Sequence, residues 1–159
     1  MRSRQRISVL VLAALAALPL AGAGSAATTQ AQREEALVGA VNGVRTAHGL
    51  RPVAVDRALT RAARGHSAWM VRTQTFVHGA TAIRMRRSGA AGPCFGENLA
   101  WGAGTRAAAR ELVQMWLASP PHRANLLRPG FRRVGVGVSV GSFAGFPGAT
   151  VVTANFAGA

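Results

Sequence analysis

The spacing of the apolar residues changes once along this chain, and that change limits the folds it can adopt. Before residue 128 the apolar residues recur at helical spacing. After residue 131 the run "RRVGVGVSV" alternates and places Val136, Val138 and Val140 on one face of a strand. A second β-rich run, "GATVVTANFA", follows the Gly-rich "GSFAGFPG", so the three segments predict an antiparallel hairpin. Helices followed by a C-terminal hairpin favour an α+β sandwich.

The helical part divides at its capping and breaking residues. A first helix is predicted over 29–48, where Gly49 provides a C-terminal stop, and Asp56 is the predicted N-cap of a second helix that fades near Arg72. Residues 79–95 are predicted to be a surface segment with one helical turn. A third helix is predicted after Thr105, and Ser119 is placed to cap a short turn in "HRANLL".

The N-terminus is typical of a secretory signal peptide. Arg2, Arg4 and Arg6 precede the apolar stretch "ISVLVLAALAALPLAGAGSAA", which ends in small residues. The sequence therefore predicts a signal peptide over 1–27, cleaved around residues 23–27, and a single secreted, extracellular domain over 28–159. The alternative is a retained membrane anchor, although the uninterrupted apolar run is short for a span of about 20 residues.

The charge of the chain favours anionic partners. Its 19 basic residues are all arginine, against five acids, and the formal net charge is +14. Removal of the signal peptide takes away three arginines and leaves +11. For a secreted protein this predicts contact with an anionic envelope polymer or lipid surface. Specific nucleic-acid binding is not indicated, because no aromatic residues are interleaved with the arginines. Cys94 is the only cysteine, so no intramolecular disulfide can form.

Three residues in separate predicted loops form the candidate site. His78 follows the second helix, Glu97 lies in "GENLAWG", and His122 lies in "SPPHRAN". Two imidazoles and a carboxylate can bind Zn²⁺ and leave a position for water. They can equally act as acid and base without a metal, or form a buried hydrogen-bond network that only braces the loops. His48 and His66 are interpreted as structural, since one ends a helix and the other lies on an apolar helix face.

The ordered motifs resemble a known family. "GENLAWG", "SPPHRANLL", "FRRVGVGVSV" and "TANFA" follow one another, after "VNGVRTAHGLRPVAVDRALTRAARGHSAWM". This set is similar to the CAP superfamily of cysteine-rich secretory, antigen 5 and pathogenesis-related proteins, in its bacterial SCP-domain branch, over about residues 34–157. The resemblance implies a three-layer α-β-α sandwich, secretion, and a cleft with two histidines and two glutamates. His78, Glu97 and His122 match three of these four residues, and Ser119 stands where the eukaryotic pattern has the second glutamate.

Three functions follow from this resemblance. The first is a secreted module whose cleft of His78, Glu97, His122 and Ser119 binds a metal ion or a small apolar, lipid-like ligand. The alternative is a zinc-dependent, peptidase-like hydrolase. It would hold Zn²⁺ on His78 and His122, with Glu97 as third ligand or as the catalytic base. The third function is a structural protein with a vestigial site. The missing second glutamate weakens the hydrolase prediction.

Overall fold

The computed structural model describes residues 22–158, and side-chain surroundings from residue 30 onward. The predicted signal peptide therefore lies outside the described residues except for 22–27. The described chain folds into five α-helices, one 3-10 helix and four strands. The helices are α1 (Gly22–Ala47), α2 (Arg57–Thr73), α3 (Thr81–Arg87), the 3-10 helix (Gly104–Ala107), α4 (Ala109–Ala118) and α5 (Pro120–Leu126). The strands are β1 (Ala54–Val55), β2 (Phe95–Gly102), β3 (Phe131–Phe143) and β4 (Phe146–Gly158).

The four strands form one sheet between two helical layers. Their order is β1-β3-β4-β2, in which β1 pairs parallel with β3 and the other pairs are antiparallel. On one face, three helices pack against the valines of β3: α1 through Leu37 and Val41, α4 through Trp116, and α5 through Leu126. On the other face, α2 and α3 pack through Leu59 and Met85. This confirms the predicted α+β class, the α-β-α layers and the C-terminal hairpin.

The alternating run in β3 explains why α2 lies so close to the sheet. Val134, Val136 and Val138 point into the core with α1, and the glycines between them face α2. A Cβ at Gly135 would lie 2.1 Å from the backbone nitrogen of Thr60, and one at Gly137 would lie 2.1 Å from that of Arg64. The "GVGV" pattern therefore encodes two different packing surfaces, one of branched side chains and one of bare backbone.

The helix boundaries follow the predicted caps in part. The Asp56 carboxylate accepts hydrogen bonds from the backbone of Ala58 and Leu59, which confirms it as the N-cap of α2. Gly49, at φ +69°, ends the turn after α1 as predicted. The predicted start of the first helix at residue 29 is wrong, because α1 already includes the residues from Gly22 onward.

Arg45 connects the end of α1 to the segment between α5 and β3. Its side chain is fully buried, and its guanidinium donates to the carbonyl oxygens of Arg51, Leu126, Arg128 and Phe131. Burial, and then the charge of Arg132, lowers the pKa of Arg45. Four backbone acceptors thus satisfy a buried cation and join three segments in a chain that has no disulfide.

The motif "GENLAWG" is a strand, so its prediction as a loop is wrong. All seven residues lie in β2, which pairs with β4 from Phe95↔Ala157 to Gly102↔Thr150. Two glycines and an acid resemble loop composition, but β4 supplies the hydrogen-bonding partner that the sequence pattern does not reveal. Among the described residues, no helix is long and apolar enough to span a membrane.

Candidate functional site

The site is organised by Glu97 and Asn98, which point to opposite faces of the edge strand β2. Neighbouring side chains in a strand alternate between the two faces of a sheet. Glu97 therefore faces the layer of α2 and α3, where it contacts residues between and within these helices. Asn98 faces the layer of α4 and α5. The dipeptide consequently reaches both histidines, one on each side of the free sheet edge.

The Glu97 carboxylate collects donors from the His78 loop and from α3. Its side chain is only 2 % exposed. Oε1 accepts from His78 Nδ1 at 2.9 Å and from Thr81 Oγ1 at 2.9 Å, and Oε2 accepts from the Arg84 guanidinium. Thr81 and Arg84 also donate to the His78 carbonyl oxygen. These contacts fix both the backbone and the ring of His78.

The bond to Glu97 sets the tautomer of His78. An ionised carboxylate only accepts hydrogen bonds, so Nδ1 of His78 must carry the proton. In the neutral ring, Nε2 then keeps its lone pair. The His78 side chain is 53 % exposed, so this lone pair belongs to a ring that solutes can reach. A carboxylate behind a histidine is the usual outer partner of a metal-binding imidazole.

Asn98 fixes the backbone of His122 through a hydrogen bond, on the opposite face of β2 from Glu97. Its side chain is fully buried, and its amide donates to the His122 carbonyl oxygen at 2.9 Å. Asn125, one turn further along α5, donates to Asn98 Oδ1 at 2.9 Å and to the Glu97 carbonyl oxygen at 3.1 Å. These bonds tie α5 to β2, and they determine where His122 enters the site.

The two imidazoles approach each other across the sheet edge. Their ring centroids are 6.4 Å apart and the rings are tilted by 44°. Burial, and then the charge of His78, lowers the pKa of His122. His122 is therefore neutral at pH 7, and a neutral ring has a nitrogen lone pair available for a metal ion or a hydrogen-bond donor.

Glu97 and Ser119 are the other two residues of the predicted cleft. Both Glu97 oxygens already accept hydrogen bonds, and within residues 22–158 no three His, Cys, Asp or Glu side chains are arranged to hold a metal ion. Glu97 is therefore the hydrogen-bond partner of His78 in this structure, and not a third group beside the two imidazoles. Ser119 occupies the N-cap position of α5, but its side chain makes no capping hydrogen bond.

The structure supports the structural interpretation of His48 and His66. His48 Nδ1 lies 2.9 Å from the Val44 carbonyl oxygen at the end of α1. His66 is buried, and its Nε2 lies 2.9 Å from the Val77 carbonyl oxygen. Burial, and then the charge of Arg84, lowers the pKa of His66. Through its bond to the Val77 carbonyl oxygen, His66 fixes the backbone directly before His78.

Three contributors escaped the sequence reasoning: Thr81, Arg84 and Asn125. In the sequence Arg84 reads only as part of a basic surface, yet it forms an ion pair with the most buried carboxylate of the site. The sequence held one indication of Arg84, because an acid that becomes buried needs a cation or several hydrogen-bond donors nearby. In the sequence, Thr81 and Arg84 stand three and six residues after His78.

Comparisons with known proteins agree with this architecture. The family model described as "CAP: Cysteine-rich secretory protein family" matches residues 38–156. The uncharacterized protein YkwD of Bacillus subtilis is 33 % identical in an alignment of 118 residues that covers 71 % of this chain and 45 % of that protein. A crystal structure of an extracellular SCP-domain protein from Bacillus anthracis gives a TM-score of 0.75 at 26 % identity, covering 90 % of this chain and 45 % of the other. An outer surface protein of Borrelia burgdorferi gives a TM-score of 0.66 at 17 % identity, covering 80 % and 94 % of the two chains, which supports the fold alone. This chain spans less than half the length of the two Bacillus relatives.

Proposed function

Because the chain belongs to the cysteine-rich secretory protein family, we propose that it is a secreted binding module that uses His78 and His122 to hold Zn²⁺ or a small ligand. A relative described as an extracellular protein supports secretion, as does the predicted signal peptide. The basic exterior supports work at an anionic envelope.

One observation carries the proposal: the Glu97–His78 hydrogen bond, with the His122 ring 6.4 Å from the His78 ring. Imidazole nitrogens suit zinc and related metals, and an outer carboxylate raises the basicity of the ligand it orients. With two protein ligands, a bound zinc ion would complete its coordination with water or with groups of a second molecule. The site would then recognise small molecules that carry their own metal-binding group.

The alternative, a zinc-dependent hydrolase, requires Glu97 to bind the metal or to take a proton from bound water. That role needs an oxygen free to reach the metal or its water. In this fold Glu97 is buried, and both oxygens accept bonds from His78, Thr81 and Arg84. The geometry therefore supports binding better than hydrolysis.

A zinc titration of the secreted form, purified from culture medium after expression of the full chain, tests the proposal. We expect saturable binding that His78→Ala or His122→Ala abolishes. Glu97→Gln should weaken it by about 10–100-fold, as outer-partner substitutions do. His48→Ala is the matched control, since His48 directly follows α1 and its ring bonds only a carbonyl oxygen of that helix. Equal zinc binding by the wild type and the His78/His122 double variant would refute the site.

A further inference from the structure

The end of the sheet beside the hairpin turn carries an apolar surface, here called the aromatic patch, formed by Phe76, Trp101, Met115 and Phe146 above the buried Phe143. Ring contacts connect four of these side chains. Phe143 lies 6.1 Å from Phe76 and 5.7 Å from Trp101, and Trp101 lies 5.6 Å from Phe146, between ring centroids. Phe143 is buried and supports the others from below.

The rest of the patch is open to solvent. Phe76 is 41 % exposed, Met115 47 % and Phe146 51 %. Trp101, Met115 and Phe146 line a groove of about 690 Å³, together with Arg106 and Glu111 at its margin. Phe146 directly follows the tight turn at Ala144 and Gly145, both with positive φ, so it stands at the tip of the β3–β4 hairpin. Contiguous exposed apolar surface of this kind marks an interaction site.

The charge of the chain indicates which partner covers the patch. Three of the five acids form ion pairs with arginines: Glu34 with Arg64, Asp56 with Arg133, and Glu97 with Arg84. These pairs use only three of the 16 arginines in the described residues, where Glu35 and Glu111 form no such pair, so arginines far outnumber acids on the exterior. A second copy would bring two chains of high positive charge together, whereas an anionic bilayer attracts the same surface.

We propose that the aromatic patch is a membrane-docking surface that inserts Phe146 and Phe76 into the interface of an anionic lipid bilayer. Arginines on the rest of the exterior attract the lipid headgroups, and aromatic side chains occupy the boundary between headgroups and acyl chains. The inference rests on the proposed function for secretion to the envelope, but it uses none of the histidine cleft.

The test measures binding of the secreted form to vesicles of phosphatidylglycerol and phosphatidylcholine. Brominated lipids report insertion, because they quench the fluorescence of a tryptophan that enters the bilayer interface. We expect binding and quenching on phosphatidylglycerol that weaken as salt rises. Phe146→Ser should raise the lipid concentration for half-maximal binding about tenfold, since half of a phenylalanine surface is lost from the interface.

Two further variants make the result specific. Val55→Ser is the matched control, because Val55 is 62 % exposed but lies in β1 at the opposite sheet edge. It should bind vesicles as the wild type does, with both folds checked by thermal unfolding. Glu111→Gln removes the acid of the groove and should tighten binding to phosphatidylglycerol.

Several outcomes would overturn the proposal. One is that Phe146→Ser binds vesicles as well as the wild type does. Another is that the wild type binds pure phosphatidylcholine as well as it binds vesicles with phosphatidylglycerol. The third is a dimer, seen in sedimentation, that Phe146→Ser dissociates while the wild type binds no vesicles. His122→Ala separates the two proposals. It should lose zinc and keep vesicle binding, so a failure of the zinc site leaves the docking surface standing, and the reverse also holds.

Discussion

Substitution of Gly137 by alanine tests how closely α2 packs on the sheet. The new Cβ would lie 2.1 Å from the Arg64 nitrogen and 2.2 Å from the Ala63 carbonyl carbon. Non-bonded carbon contacts are most favourable near 3.5–4.0 Å, so α2 would have to retreat by about 1.5 Å. Overpacking of a core costs about 1–3 kcal/mol and occasionally more. Because both opposing atoms are backbone, no side-chain rotation relieves the clash, and we expect a loss of about 3 kcal/mol or more.

The assay is urea unfolding of Gly137→Ala beside Gly43→Ala. A Cβ at Gly43 in α1 meets nothing within 4 Å, so the same change there should stabilise the protein by about 0.5–1 kcal/mol through helix propensity. Retreat of α2 also strains the bond from Ser67 Oγ to the Gly137 carbonyl oxygen, now 2.9 Å. If Gly137→Ala unfolds within about 0.5 kcal/mol of the wild type, the account of the glycine face is wrong.

Three further predictions concern the Asp56 cap, the hydrogen bonds of Asn98, and the pKa values of His66 and His122. Asp56→Ala should cost about 1–2 kcal/mol at pH 7 in urea unfolding. Burial alone would raise the pKa of Asp56, but bonds from Leu59, Arg133 and Ala58 outweigh it and lower the pKa. The part of the contribution that depends on the ionised carboxylate is therefore lost as pH falls through that lowered pKa, and the difference between variant and wild type should narrow in acid. Asn98→Ala should cost about 1–3 kcal/mol, since it strands the His122 carbonyl, and it should weaken zinc binding in the same titration. Burial lowers the pKa of His66 and His122 in the folded protein, so on acidification these histidines take up protons in the unfolded chain first. The free energy of unfolding should therefore fall as the pH drops below about 6.5. If His122→Asn shows the same dependence of this free energy on pH as the wild type, the prediction for His122 is wrong.

The parts of the fold that sequence reasoning predicted are those with local signals. Alternation in β3 and β4 identified the hairpin, and Asp56 located the start of α2 within one residue of the observed helix. The strand β2 was missed because its partner β4 lies far along the chain: the paired residues are 62 apart at Phe95↔Ala157 and 48 apart at Gly102↔Thr150. Strand formation there depends on tertiary pairing rather than on local propensity.

The same distinction applies to the site. The motifs named His78, Glu97 and His122, and the structure brings the three together around one sheet edge. Their roles could not be read from spacing, because these depend on which face of β2 each side chain takes. Once β2 is known to be a strand, alternation alone assigns Glu97 to the His78 side and Asn98 to the His122 side.

The central claim is that Glu97 fixes His78 so that its Nε2 lone pair and His122 form one binding site. Long-range ¹⁵N–¹H correlation spectra of the imidazole rings, recorded at pH 7 during a zinc titration, test it directly. We expect His78 to carry its proton on Nδ1 in the free protein, and zinc to shift the resonances of His78 Nε2 and of one His122 ring nitrogen together. A proton on His78 Nε2, or zinc that shifts neither ring, would contradict the account.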